Sequence, residues 1–294
     1  VRTIAAIKRY SDGRAAKFAG QLLTEDAYDT LITDDCDVTK PDGSYLIRFR
    51  KNVFSTENCI AAARNLRDAA KLSKNRGTAA GTPEPAANEV RVSKNRVKRV
   101  LEDGTLSNTA EAKSVQSGIV GYFNANPRTP YCRLTAFNLE HPERFAAAMP
   151  LFRSADAHFH LLMPDRWEAQ RRYIERTSPD FVIHGTVFTT ITVNANWQTA
   201  VHQDAGDLKA GFGVMTVLRS GVFDGCYLCF PQYRVAVDMR TRCICLADVH
   251  EWHGNTPFRG VEGEFERLSL VMYYREKMEH CGSAAEELEK AKAR

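Results

Sequence analysis

No stretch of the 294-residue chain approaches the roughly 18 apolar residues that a membrane-crossing helix needs, which excludes a helical membrane protein. Val1–Tyr10 is basic and mixed, with no apolar segment of signal-peptide type. Eight cysteines are too sparse for a secreted scaffold held by disulfides. These absences predict a soluble protein of a reducing, intracellular compartment. Strong charge of one sign is also missing: a net charge of +4 does not by itself call for a polyanionic partner. Extended repeats are absent too. Ser-Lys-Asn-Arg recurs only at 73–76 and 93–96, too few copies for a solenoid.

What is present is the composition of a globular protein. Hydrophobic residues at 44% against 26% charged are enough for a full core in one domain, 1–294. Tyr45–Arg50 alternates like a short strand, and Glu57–Leu72, rich in Ala and Leu, reads as a helix. Gly77–Asn88 carries too much Gly, Pro and Ala to pack and is expected to be a flexible loop. Over 71–100, eight Lys/Arg against two Glu give a local net of +6, so the rest of the chain sums to −2. From Cys132 the texture changes. Helices are expected around His141–Met149 and Pro164–Thr177. Short β-rich runs follow at Phe181–Ile183, Thr186–Asn194, Gly213–Leu218, Cys226–Phe230, Arg234–Asp238, Cys243–Leu246 and Arg267–Tyr274, punctuated by Gly, Pro, Asp and Asn. Many short strands at this spacing predict a sandwich or jelly-roll barrel in an α+β protein. The expected layout is an N-terminal buttress, 1–130, with a basic, flexible loop at 73–99, then a jelly-roll core at 131–275. A charged C-terminal helix occupies 276–294.

Val201-His-Gln-Asp204 holds a His-x-Asp pair. On an extended chain, residues i and i+2 point to one side, so His202 and Asp204 can grip one metal. His253, 49 residues beyond Asp204, is the third candidate. Two histidines and one carboxylate leave coordination positions open, the pattern of non-haem Fe(II) oxygenases. Fourteen residues after His253, Arg267-Leu-Ser269 opens a β-rich run with Arg and Ser on one face. An Arg fork suits the distal carboxylate of 2-oxoglutarate, and a Ser hydroxyl adds a hydrogen bond. Each residue alone is more often structural; the five in this order point to an Fe(II) and 2-oxoglutarate site. A hydrolytic zinc centre is the chemical rival, but it has no use for Arg-x-Ser.

Thr189–Asn194, His202–Asp207, Gly211–Gly213, His253-Gly254 and Arg267–Ser269 together resemble the TET/JBP branch of these oxygenases, and most of all its compact phage and viral members. Ser73–Gly77 and Cys132–Phe137 look similar as well. The resemblance spans roughly 45–281 and is strongest over 181–275. It implies a double-stranded β-helix (jelly-roll, cupin-like) core, Fe(II), 2-oxoglutarate and O2. The implied substrate is 5-methylcytosine or thymine in DNA, oxidised at the C5-methyl to hydroxymethyl, and by further rounds to formyl and carboxyl, with release of succinate and CO2. A methyl inside a duplex is out of reach of a buried iron, so the base is expected to be flipped or single-stranded. A phage origin would put the protein in the bacterial host cytoplasm. A monomer is expected. The Cys-rich zinc-binding region of the animal enzymes has no counterpart here.

Several residues are candidates for the substrate side. Asp207, where the animal enzymes carry Asn, offers acceptors to the N3–H of thymine or the amino group of cytosine, or else caps a loop. Asn194 and Asn196 are placed to reach co-substrate or base, with turn chemistry as the alternative. Arg133 suits the other carboxylate of 2-oxoglutarate, a phosphate or a surface ion pair. Trp197, Trp252, Tyr122 and Phe123 are candidates for base stacking against the commoner reading of core packing. Lys94, Arg96 and Lys98 suit the phosphate backbone, or simply form a solvated face. Cys226-x-x-Cys229 and Cys243-x-Cys245 read as buried strand thiols rather than zinc ligands. Two rivals to the DNA reading stay open: an oxygenase of a free nucleotide, small molecule or protein, and an inactive barrel that only binds nucleic acid.

Overall fold

The structure is a computed structural model and describes residues 1–82, 90–93, 96–110 and 113–293. Its centre is a ten-stranded sheet. Across the sheet run Arg2–Ala5, Cys36–Thr39, Tyr45–Arg50, Ile244–Ala247, Gly213–Gly225, Phe258–Tyr273, Thr190–Ala195, Val115–Phe123 and Arg133–Leu134, and Leu72–Ser73 also pairs with Val115–Phe123. A four-stranded sheet, Gly254–Asn255, Leu228–Phe230, Val235–Val237 and Thr30–Ile32, faces it.

Side-chain alternation in the strands builds two cores. In Phe258–Tyr273, Leu268, Leu270 and Met272 point one way; Ile191 and Val193 of the neighbouring strand join them. They pack under the helices Thr56–Leu66 and Pro142–Leu162, against Leu66, Phe152 and Phe159. On the opposite face Met215, Val217, Cys245 and Ala247 meet Leu228, Phe230, Val235 and Val237 of the smaller sheet. The result is a jelly roll with helices on its outer face. Arg267, Ser269, Val271 and Tyr273, being of opposite parity to Leu268, turn toward the space between the sheets.

The helices begin where their sequences allow. Ser55 caps Thr56–Leu66 by accepting from Asn58 N–H at 3.1 Å. Pro142 and Pro164 occupy the first positions of Pro142–Leu162 and Pro164–Arg176, where a missing N–H costs nothing. The expected helix to Leu72 stops earlier: a 3-10 turn covers Arg67–Ala69, and Leu72–Ser73 is drawn into pairing with Val115–Gln116. Phe181–Ile183 is not a strand. Pro179 starts a 3-10 turn, Pro179–Phe181, in its place.

Two other expectations change. Five of the large sheet's ten strands lie before residue 130 and, together with Thr30–Ile32 in the small sheet, belong to the barrel walls, so the line between buttress and core runs through both sheets. The Gly77–Asn88 segment begins with a packed 3-10 turn, Gly77–Ala80; Ala80 is buried against Val115 and Trp197. Residues 83–89 lie outside the described ones. Close approach fixes the neighbouring turn: a Cβ on Gly118 would lie 1.8 Å from Ala69 O, so only glycine lets the strand Val115–Phe123 pass the turn Arg67–Ala69. Cys132 and Cys281 form a disulfide that nothing in the cysteine spacing announced. Cys36, Cys59, Cys226, Cys229, Cys243 and Cys245 are free and buried. No helix among the described residues is long and apolar enough to cross a membrane.

Candidate metal centre

His202 and His253 face each other across a short antiparallel bridge. His202 N–H donates to His253 O at 2.8 Å, and His253 N–H to His202 O at 2.9 Å. Their ring centroids are 4.3 Å apart. In each ring Nδ1 contacts a main-chain carbonyl, Ala200 O at 2.8 Å for His202 and Glu251 O at 2.9 Å for His253. A carbonyl only accepts, so each Nδ1 carries the proton and each Nε2 is left with a lone pair. Asp204 Oδ1 lies 3.3 Å from His202 Nε2. One ligand atom from each of His202, Asp204 and His253 can be chosen so that all lie within 4.8 Å of one another.

Protonation fits a cation here. Burial, and next the nearby His202, push the His253 imidazole down to about 4, so it is neutral at pH 7. Burial pushes the Asp204 carboxyl up, but the close contact with His202 and the neighbouring His253 and His250 rings outweigh it and hold the carboxyl below its usual range.

Beside this centre a polar row crosses the large sheet. Ser117 Oγ donates to Asn194 Oδ1 at 2.5 Å, and Asn194 Nδ2 donates to Ser269 Oγ at 3.4 Å. Arg267 is only 4% exposed. Its main-chain N–H donates to Asn196 Oδ1 at 2.7 Å, yet among the described residues its guanidinium has no hydrogen-bond or ion-pair partner. A buried, unpaired guanidinium is costly unless an anion completes it, which fits a dicarboxylate.

Residues 118–276 match the Tet_JBP family, the oxygenase domain of the 2OGFeDO superfamily. The chain belongs to this family. Fe(II) and 2-oxoglutarate are the cofactors that go with it, and the donor set just described fits both. Among relatives of the Tet_JBP chain, thymine dioxygenase JBP1 of Trypanosoma brucei brucei is 38% identical over 167 residues, 55% of this chain and 19% of that protein. JBP1 of Leishmania braziliensis is 37% identical over 188 residues, 61% of this chain and 22% of that protein. The chain thus spans about a fifth of these relatives' length. The solved structure of NgTET1 in complex with 5mC DNA has the same fold, with a TM-score of 0.57 at 10% identity over 96% of both chains.

The other candidates are dispersed. Asp207 and Arg275 face each other in a main-chain antiparallel bridge, and burial, then the charge of Asp204, raise the Asp207 carboxyl well above the usual range against the pull of Arg275. Asn196 spends both polar ends on main chain, on Arg267 N–H and Phe265 O, in a turn with φ 44°. Trp197 is a core residue beside Ala80 and Val115, and Trp252 is half-buried next to His253. Tyr122 packs edge-on to Phe181. Phe123 lies under two guanidiniums, Arg133 at 4.9 Å and Arg275 at 5.5 Å. Arg133 is on the sheet's last strand, with Nη1 buried and unpartnered. Arg96 and Lys98 lie on a separate three-stranded sheet, Val90–Ser93, Arg96–Val100 and Leu106–Ala110. Lys94 falls outside the described residues.

Three residues near the centre escaped the site reading of the sequence. Tyr273 is on the same face as Arg267 and Ser269, with its hydroxyl 3.4 Å from Thr192 Oγ1. Arg275 donates Nε to Asn124 Oδ1 at 2.8 Å. Arg76 is held by Gly118 O at 3.0 Å, while its Nε is buried without a partner, and Tyr273, Arg275 and Asp204 act on it electrostatically. The period-2 continuation from Arg267 and Ser269 was a signal for Tyr273 and Arg275. Arg76 had only its place in the Ser73–Gly77 motif.

Proposed function

We propose that this chain is an Fe(II)/2-oxoglutarate-dependent dioxygenase that oxidises the C5-methyl group of a pyrimidine in DNA, with thymine ahead of 5-methylcytosine. The observation that carries the co-substrate half is the buried Arg267 guanidinium, without a partner among the described residues, two residues from Ser269 on the wall between the sheets. Thymine is favoured because the curated relatives cited above are thymine dioxygenases at 37–38% identity. His202, Asp204 and His253 hold the iron. Arg267 and Ser269 take the distal carboxylate of 2-oxoglutarate, with Asn194 fixing the Ser269 hydroxyl. We assign the other carboxylate to Arg76, since Arg133 is engaged on Phe123. Bound iron, 2-oxoglutarate and O2 together supply the oxidising equivalents, giving succinate and CO2 as co-products. The residues of the chain orient the base and exclude water. Asp207 and Arg275 offer paired hydrogen-bonding groups to a base edge, and Tyr273 offers a ring face.

DNA as partner draws support from the three-stranded sheet. Pairing of Arg91 with Lys98 and of Ser93 with Arg96 sets Arg91, Arg96 and Lys98 on one face, while Val97 is buried on the other. The base reaches the site flipped or from a single strand.

The test is one incubation with Fe(II), 2-oxoglutarate and DNA containing both thymine and 5-methylcytosine, followed by mass spectrometry of the nucleosides. 5-Hydroxymethyluracil in excess over 5-hydroxymethylcytosine is expected. Oxidised 5-methylcytosine alone would reverse the base order. Succinate without any oxidised base would remove DNA as the substrate.

A further inference from the structure

A second cavity, of about 440 Å3, reaches Asp204, and Arg166, Gln203, Asp248, Lys209 and His250 also line it. It holds two cations and two carboxylates, and the carboxylates are spent. Asp248 pairs with Lys40 Nζ at 2.8 Å, and Asp204 faces His202 in the metal centre. The cations are not neutralised. Arg166, in the first turn of Pro164–Arg176, has only Lys209 O and Ala210 O, each at 3.5 Å, the outer limit of a hydrogen bond. Lys209 is exposed, and among the described residues neither cation has a carboxylate partner. These contacts place the Arg166 guanidinium beside the loop that carries Lys209, and both side chains line the same cavity.

The position of that place matters. Asp204, Asp207 and Lys209 follow one another within six residues. Lys209 stands two residues beyond Asp207 in a turn, at most about 7 Å of main chain away, so a base edge at Asp207 keeps the nucleotide's backbone within reach of Lys209. We propose that Arg166 and Lys209 form a seat for a backbone phosphate of the DNA strand whose base enters the site. The seat rests on the DNA reading given above. Its ligand chemistry is a phosphodiester: a monoanion met by one planar fork and one mobile ammonium. It differs from the Arg91–Arg96–Lys98 face, which can follow the backbone at a distance but holds no nucleotide in register with the iron.

The experiment measures binding of a fluorescent single-stranded thymine-containing oligonucleotide to the full chain loaded with Fe(II) and 2-oxoglutarate under argon, over a range of salt concentrations. Each phosphate contact to a single strand contributes about 0.7 to the slope of log affinity against log salt. The Arg166→Gln/Lys209→Gln double variant removes this one contact and is expected to flatten the slope by about 0.7, and Lys209→Gln alone, a change at an exposed side chain, by a part of that. Lys51→Gln/Lys292→Gln removes the same charge elsewhere and is expected to keep the wild-type slope. A double variant with the wild-type slope overturns the seat while leaving the DNA reading intact. Equal flattening in the Lys51/Lys292 control overturns it too, since a general field would then explain the effect. A wild-type chain that binds no DNA overturns both readings.

Discussion

At the scale of single residues, the centre is made by where protons sit. Each histidine's Nδ1 is committed to a carbonyl two residues earlier, so each Nε2 is presented without a search over ring orientations. His202→Ala and Asp204→Ala each leave two protein ligands. Both are expected to abolish Fe(II) binding at micromolar metal, read by calorimetry, with no oxidised base formed; retained stoichiometric binding in either variant would remove that residue from the ligand set. Arg267 makes a different point. Its guanidinium is buried with no partner among the described residues, which fits the proposal that a ligand completes it. Lysine keeps the charge but loses the fork. Arg267→Lys is expected to raise the half-saturating 2-oxoglutarate concentration by about 10- to 100-fold, from a charge-assisted bond of about 1.5–3 kcal/mol. An unchanged requirement would make Arg267 structural.

Among elements, the strands nearest the N-terminus show how the barrel wall is secured. Asp37, on Cys36–Thr39, takes both Arg48 Nη2 at 2.7 Å and Arg50 Nη1 at 2.8 Å from Tyr45–Arg50. Burial alone would push its carboxyl up, but the hydrogen bonds and charges of the two arginines outweigh it and hold it below its ordinary 3.8. A carboxyl lowered by folding stabilises the fold above the unfolded value, and that contribution is lost as pH falls through the folded one. Asp37→Asn leaves the half-buried Arg48 and the buried Arg50 with carbonyl partners but no carboxylate, and is expected to cost about 3 kcal/mol at pH 7. In urea titrations the gap to wild type should shrink below about pH 3.8. A gap independent of pH would mean that packing, not charge, carries the loss. The two strands were partly legible in the sequence, since Tyr45–Arg50 alternates, but nothing in the local pattern of Cys36–Thr39 said which strand it joins.

The whole molecule is closed by contacts distant in sequence. Cys132 and Cys281 are bridged across 149 residues, a span enclosing His202, Asp204, His253 and Arg267. Loop-closure entropy puts the stabilisation on the order of 5 kcal/mol, less any strain. Reduction with dithiothreitol, or Cys132→Ser/Cys281→Ser, is expected to lower the urea midpoint markedly in both cases and to the same value. Identical midpoints for the oxidised and reduced wild type would show that the bridge closes nothing the fold does not already hold. Around it, buried Glu287 accepts from Cys132 N–H at 2.6 Å and Gly282 N–H at 2.8 Å, so the C-terminal helix is tied to the same point.

The sequence by itself determined what depends on short spacing. His-x-Asp and Arg-x-Ser put paired groups on one side of a strand because the strand period is two, and the run of short β segments after residue 180 follows from the same alternation and from turn residues. The jelly roll and the grouping of His202, Asp204 and His253 were therefore readable. Only the tertiary structure decided which distant segments share the cavity. It drew Arg76 in from a stretch that reads as a loose loop, spent Asn196 on main chain and stacked Arg133 on Phe123. The physical reason is that burial and pairing are set by neighbours that sequence spacing does not announce, 42 residues away for Arg76 and 71 for Asn196. An arginine in the sequence is the same side chain whether its guanidinium ends in water, on a carbonyl or, like Arg267, in a buried place that only a ligand can complete.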